Sequence, residues 1–470
     1  MPNTDPHWIG CLVGILYNSD LIPYAMFTRI KGDISHIRRS TAGTHGASVC
    51  ESIDSIGETV VMHHARIHPL EGIDREHVSI TDVTVILLSY ELPPEQQLIV
   101  GEGIWWKTDA IIVEVFTDVG VVGIGGASRY GGDCEDIKKY IEDVARPSVL
   151  GRNPFDVEFL TCGGGAYHKR CAWAGIESAL WDIIGKIKNT PVYRLLATDH
   201  VPDPHIPVYA SGGVQYAWYD QPEDLIDEAL RHQESGYTAF KFRKGSDWAR
   251  DDITLKQYIP FLRKMREAVG PDFALIQESM SGFGGTLEEI TEQLCPALEE
   301  LGFLWFEQPL GEHEGGVEKR VSINQALPTV MVSGAEKMLS RFEMKEWMDC
   351  GAYDIVQPDA SIVGINETWM AARMAHLQGK LVCPHSWQDG TTRMQNAHVA
   401  ASIPNLLLLE IYEGSVDPLR TEIFKEPLVV RDSFLDLKDR PGFGVELAPD
   451  LERKFPYIPG RFSMPNPVYA

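Results

Sequence analysis

Between Lys241 and Glu410 the chain repeats one pattern seven times: a short apolar, strand-like run that stops on a charged or polar side chain. The runs TAFKFR, FALIQE, FLWFE, TVMVSGAE, YDIVQPD, LVCPH and LLLLE deliver Lys241 with Arg243, then Glu278, Glu307, Glu336, Asp359, His385 and Glu410. Counted from Arg243, successive sites are 35, 29, 29, 23, 26 and 25 residues apart. A strand, a helix and its loops need roughly 25–30 residues. The spacing therefore predicts an α/β barrel, which builds its chemistry at the carboxyl ends of its strands. One glutamate at a strand end is ordinarily just solvated. Three on consecutive strands, Glu278, Glu307 and Glu336, would converge and raise one another's pKa. A hard divalent cation with oxygen ligands, Mg²⁺ above all, relieves that repulsion.

Two further pairings follow from strand geometry. Lys241 and Arg243 are two residues apart and share the face turned into the barrel mouth, whereas Lys244 points the other way. Asp359 follows Gln-Pro at one strand end, and His385 follows Cys-Pro at the next. Neighbouring strands bring them together, so Asp359 can hold one ring nitrogen of His385 and raise its basicity. That is a general acid/base dyad.

The charge balance narrows the partners. A formal charge of −25 over 470 residues argues against nucleic acid and anionic membranes, which attract basic patches. It leaves an acidic substrate open, because a bound metal reverses the local sign. The eight cysteines, at 11, 50, 134, 162, 171, 295, 350 and 383, form no CxxC, which suits a reducing cytoplasm. No apolar run approaches the ~18 residues of a membrane helix. Trp8–Tyr17 is apolar, but no Lys or Arg precedes it and no clear cleavage pattern follows. A cytoplasmic homo-oligomer acting on a small carboxylate, with neither nucleic acid nor membrane as partner, is the expectation.

Residues 1–77 show no sustained period and are expected to be an N-terminal extension outside the working fold. His63, His64 and His68 lie there without partners at metal-ligand spacing. Residues 78–165 then read as a small α+β domain. VSITDVTVILLSY and DAIIVEVFTD are long alternating strands, Asp118-Val-Gly120 turns into VGVVGIGGAS, and a helix over 135–144 stops before Pro147. The glycines 123, 125 and 126 follow a hairpin rather than join strand to helix, so they do not read as a nucleotide fingerprint. Residues 166–412 carry the barrel. Its first helix, 172–187, sets Ile176, Leu180, Ile183, Ile184 and Ile187 on one face, and helices at 223–235 and 254–269 alternate with strands. Residues 413–470 are Pro- and Gly-rich and expected to be loop-rich.

In combination, the segments GIESALWDIIGK, FKFRKG, IQES, FEQP, GAEK, QPDASIVG, CPHSW and the LLE at Glu410 resemble the mandelate racemase subgroup of the enolase superfamily, from about Val78 to Pro467. The resemblance implies a (β/α)7β modified TIM barrel under an α+β capping domain to which the C-terminal segment returns. It also implies one Mg²⁺ and abstraction of a proton alpha to a carboxylate. By position, Glu278, Glu307 and Glu336 resemble the metal ligands, and His385 with Asp359 the dyad on one face of the substrate. Glu410 resembles the acid that hydrogen-bonds the developing enolate, and Lys241 the lysine that contacts the substrate carboxylate. Cap loops near 92–106 and 126–134, carrying Trp105, Trp106 and Arg129, would close the site with Trp387 from the barrel.

Two departures shape the expected reaction. Glu278 stands where the subgroup usually has Asp, and Arg243 where it usually has a lysine base. Arginine keeps its proton, so it is a clamp rather than a base. A dehydratase needs one abstracting face, so the expected reaction is loss of water from an aldonate or aldarate to give a 2-keto-3-deoxy acid. A racemase, epimerase or cycloisomerase on the same scaffold is the alternative, with a non-catalytic acid-binding relative behind it.

Overall fold

The computed structural model describes residues 66–100, 103–160, 165–214, 218, 221–244, 253–279, 285–310, 316–413 and 416–465. Most of the extension, His63 and His64 included, lies outside them. The cap begins with β1 (Ile80–Glu91), followed by β2 (Leu98–Val100), β3 (Gly103–Trp105), β4 (Lys107–Thr117) and β5 (Val122–Ala127). β1, β4 and β5 form an antiparallel sheet, β4 in the middle, with Val85 opposite Val113. Gly120, at φ 77°, closes the turn between β4 and β5 in a conformation a side chain would strain.

Helix α1 (Cys134–Tyr140) continues through a wider turn, Ile141–Ala145, into a last helical piece, Arg146–Val149. The expected stop before Pro147 is therefore not observed. Pro147 falls in the first turn of that last piece, where a missing N–H leaves nothing unpaired. Helix α2 (Tyr167–Ile187) starts five residues before the periodic apolar face that announced it. It lies directly on β5. A Cβ on Gly123 would sit 2.1 Å from the carbonyl of Ala179, and one on Gly125 2.1 Å from that of Gly175. These glycines admit a helix to the sheet, consistent with their rejection as a phosphate loop.

The barrel strands are β6 (His205–Ser211), β7 (Ala239–Arg243), β8 (Ala274–Glu278), β9 (Trp305–Glu307), β10 (Met331–Gly334), β11 (Ile355–Val356), β12 (Leu381–Val382) and β13 (Leu409–Tyr412). They pair in parallel in sequence order from β6 to β12, and β13 pairs with the free side of β6. The seam between β12 and β13 is spanned by a Val382–Leu406 bridge. Crossover helices α3 (Asp224–Glu234), α4 (Leu255–Val269), α5 (Val317–Gln325), α6 (Arg341–Asp349), α7 (Ile365–Leu377) and α8 (Gly390–Ala400) run between them, with a broken helical stretch at 287–300. The fold is a (β/α)7β barrel with an α+β cap.

Strand alternation divides the residues between two cores. Phe240, Phe242, Leu275, Phe306, Val332 and Val356 face outward into the large core shared with the helices. Their neighbours Tyr209, Ile276, Trp305, Met331 and Ile355 fill the barrel interior. The interior is thus a packed plug, and the next inward residues stand above it at the mouth. The tail is loop-rich as expected but adds three short strands. β14 (Val430–Arg431) pairs with β15 (Phe434–Asp436), β15 runs antiparallel to β6, and β16 (Ser463–Pro465) antiparallel to β3. Runs of two or three residues carry no readable period.

Candidate active site

Arg243, Glu278 and Glu307 are register partners on β7, β8 and β9, so one row across three strands sets a cation beside two carboxylates. The other sites do not end their strands. Glu336, Asp359 and His385 stand two or three residues past β10, β11 and β12, and Glu410 is the second residue of β13. The tight approach is visible in the backbone: Gln308, just after Glu307, has φ 44°, and Ala335, just before Glu336, has φ 85°. Left-handed non-glycine residues cost on the order of 1–3 kcal/mol each and cluster where surroundings over-determine them.

All eight sequence-expected residues meet here, each at most 7% exposed. Lys241 Nζ lies 3.2 Å from Glu278 and 2.7 Å from Glu410, and it also pairs with Glu307. Arg243 pairs with Glu278, donates to the Gly212 carbonyl at 2.8 Å and to Ser211 Oγ at 3.2 Å, and lies over the Trp387 ring at 5.0 Å. Lys244 reaches away to the Ile253 carbonyl. Oxygens of Glu278, Glu307 and Glu336 all lie within 4.8 Å of one another. At that separation two carboxylates repel by roughly 3–4 kcal/mol at an effective dielectric near 20. Five carboxylates face two fixed cations and one imidazole, so negative charge exceeds positive here even with Glu307 partly protonated. The buried Oε2 of Glu278 is ion-paired with both Lys241 and Arg243. An excess of buried negative charge and converging hard oxygen donors fit a divalent cation. Among the described residues no other His, Cys, Asp or Glu group could hold one.

The dyad forms as expected. His385 Nδ1 is 2.8 Å from Asp359 Oδ2, while its Nε2 faces the carboxylates, 3.7 Å from Glu336 and 4.0 Å from Glu410. Asp359 is itself fixed, its Oδ1 accepting from Ser361 N, Ser361 Oγ and Asn396 Nδ2 at 2.7–2.8 Å. Burial pushes the His385 pKa down, but Glu336, Asp359 and Glu410 outweigh it and carry it up to about 10. Neutralising Glu336 weakens one of those upward pulls, so a cation among the carboxylates moves the imidazole toward its neutral form. Burial pushes Glu307 up to about 7 against the pull of Lys241. Glu410 goes the other way, to about 2, because Lys241, His385 and Arg243 outweigh its burial. The same carboxylates keep Lys241 and Arg243 protonated despite their burial.

Several participants carry no signal of their own in the sequence. Glu307 Oε2 accepts from Trp305 Nε1 at 3.0 Å and Gln357 Nε2 at 2.7 Å, and Glu410 Oε2 from the Ser386 amide at 3.0 Å. Trp305 and Gln357 each stand two residues before a site residue, so alternation alone could have placed them on the inward face. From the cap, Trp105 meets Trp387 and Tyr130 at 5.9 Å, and Tyr130 meets the His385 ring at 6.2 Å. Trp106 turns the opposite way and donates to the Arg461 carbonyl. Arg129 is 1% exposed, with a ring of Trp105, Tyr130 and Phe462 each 5.4–5.9 Å from its guanidinium. His68 is elsewhere: with Glu158, Arg170, Glu177 and Arg341 it lines a separate cavity of about 270 Å³ that shares no residue with the carboxylates.

Comparison with known proteins agrees with this fold. Residues 95–197 match the N-terminal domain of mandelate racemase / muconate lactonizing enzyme, and residues 224–451 match the enolase C-terminal domain-like family. Arabinonate dehydratase of Saccharolobus solfataricus is 30% identical over 377 residues, 78% of this chain and 96% of that one. D-xylonate dehydratase of Haloferax volcanii is 26% identical, covering 81% and 92%. D-galactarolactone cycloisomerase of Agrobacterium fabrum is 28% identical over 60% of this chain and 73% of its own. A solved enolase-superfamily member from Polaromonas superimposes with a TM-score of 0.71 at 27% identity, covering 81% of this chain and 98% of that structure. The chain belongs to the enolase superfamily. Within it, the paired matches place the chain in the mandelate racemase / muconate lactonizing enzyme group.

Proposed function

We propose that the protein is a Mg²⁺-dependent hydro-lyase that dehydrates an acid sugar, an aldonate or aldarate, to a 2-keto-3-deoxy acid. Glu278, Glu307 and Glu336 would hold the cation, which when bound stabilises the negative charge that develops on the substrate carboxylate. Lys241 and Arg243, both held protonated, orient that carboxylate. His385, steadied by Asp359, takes the C2 proton at Nε2. It then returns that proton to the departing C3 hydroxyl, so hydrogen and hydroxyl leave together as water, and the enol becomes the ketone as its C2 hydroxyl loses a proton and C3 gains one. Glu410, fixed by Ser386 N and Lys241, faces the same centre.

One observation carries the choice of dehydration over racemisation. Of the three basic side chains against the carboxylates, Arg243 keeps its proton and Lys241 Nζ is tied to Glu278, Glu307 and Glu410 at once, whereas His385 turns Nε2 toward them at only 3.7–4.0 Å. The relatives named as dehydratases of arabinonate and D-xylonate support the same reaction class. The one named as a cycloisomerase keeps isomerisation as the second reading. The test is a panel of five- and six-carbon acid sugars with Mg²⁺, assayed for 2-keto-3-deoxy acid. Ketone-free scrambling of the C2 configuration in place of such a product would favour the second reading.

A further inference from the structure

The last described stretch of the chain, from Phe455 to Pro465, crosses back over the cap and is held there by buried polar groups. Lys107, fully buried, pairs with Asp109 at 3.0 Å and donates to the Ile458 carbonyl at 2.5 Å. Ser89 Oγ donates to Asp109 at 2.6 Å and accepts from the Ile458 amide at 3.0 Å. Tyr457 donates to Glu135 at 2.6 Å, Arg461 to Asp133 at 3.0 Å, and Trp106 N to the Phe462 carbonyl at 3.1 Å. β16 then pairs with β3, placing Ser463 opposite Trp105. Releasing this stretch is costly, because a buried ammonium would lose its bond to a backbone carbonyl.

This strap ends on one aromatic side chain. The Phe462 ring meets Trp105 edge-on at 5.1 Å, Tyr130 at 6.2 Å, and the Arg129 guanidinium at 5.4 Å. Those neighbours touch the chemistry on two sides. Tyr130 lies against His385, and Trp105 lies against Trp387, whose ring carries Arg243. The strap lies beyond residue 451, where the match to the family ends.

We propose that Phe462 is a positioning residue for the site: it sets Trp105 and Tyr130 as the wall against which the substrate's polyol chain lies. The wall thereby fixes the chain length accepted. Aromatic faces suit the C–H edge of a polyol, and a wall set by a third ring has one depth. This assignment rests on the proposed acid-sugar reaction.

The test compares Phe462→Ala and Phe462→Tyr with the parent on five- and six-carbon acid sugars, together with hydrogen exchange of the amides at 103–107 and 128–132 without substrate. Phe462→Ala should raise KM for the preferred acid about tenfold, equivalent to about 1.4 kcal/mol, and leave kcat within about threefold. It should also flatten the preference between the two chain lengths and speed exchange in both segments, with Phe462→Tyr restoring all of these. Equal losses on every acid, or kinetics indistinguishable from the parent, would overturn the proposal. A parent that turns over no acid sugar would refute the reaction instead. The exchange measurement then decides alone, and unchanged exchange in Phe462→Ala overturns the role of Phe462.

Discussion

Glu307 shows how the site works at the scale of a residue. It is fully buried among Lys241, Trp305 Nε1 and Gln357 Nε2, and burial, with Glu278, Glu410 and Glu336 beside it, lifts its pKa to about 7 against the pull of Lys241. Such a carboxylate is about half protonated near neutral pH and the amide keeps its shape, so Glu307→Gln should leave the protein folded. It should nevertheless lower turnover by roughly 10³-fold and weaken Mg²⁺ affinity, because ligand charge stabilises both cation and transition state. Activity with a Mg²⁺ titration checks this, and full turnover in excess chelator would contradict the metal assignment. The eight residues of this centre were legible because each follows an apolar run at barrel period. Tyr130 and Phe462 were not legible, since they enter from loops whose position depends on the assembled cap.

At the scale of elements, α8 is held by a histidine outside the site. His398 Nδ1 accepts from the Tyr193 amide at 3.1 Å, and its Nε2 donates to the Phe443 carbonyl at 3.2 Å. Only the neutral ring can do both. Burial accordingly drives its pKa down to about 3, against 6.5 in the unfolded chain. A lowered histidine pKa gives stability that is fully present above pH 6.5 and lost as pH falls toward 3. The slope is on the order of 1.4 kcal/mol per pH unit. The stability gap between parent and His398→Gln, measured by chemical denaturation, should therefore shrink by about 2 kcal/mol between pH 7 and pH 5. A gap constant with pH would show that His398 is not held neutral. The long elements were readable, since β1, β4, α2, α3 and α4 carry full periods. The continuation of α1 past Pro147 was not, because a wide turn lets a proline fall where its missing N–H is harmless.

At the scale of the whole molecule, the barrel brings the chemistry and the cap, with the returning tail, brings the wall. The cap sheet begins only at Ile80, and the match to the family only at residue 95. A chain truncated to begin at Met62 should thus keep parental kcat and KM. A truncated protein that folds, as judged by circular dichroism, yet is inactive would contradict this. The domain order was legible from where the regular pattern starts and stops, whereas the tail's return over the cap came from the resemblance and the pairing of β16 from the structure. The central claim is that one histidine, on one face of a carboxylate-held centre, is the only base. Its most direct test is turnover in D₂O, followed by NMR, for the parent, His385→Asn and Arg243→Lys. His385→Asn should lose both dehydration and C2-proton exchange, by 10²–10⁴-fold or more. Arg243→Lys should dehydrate more slowly and still exchange through His385. Exchange at the parental rate in His385→Asn would place the base elsewhere and contradict the account.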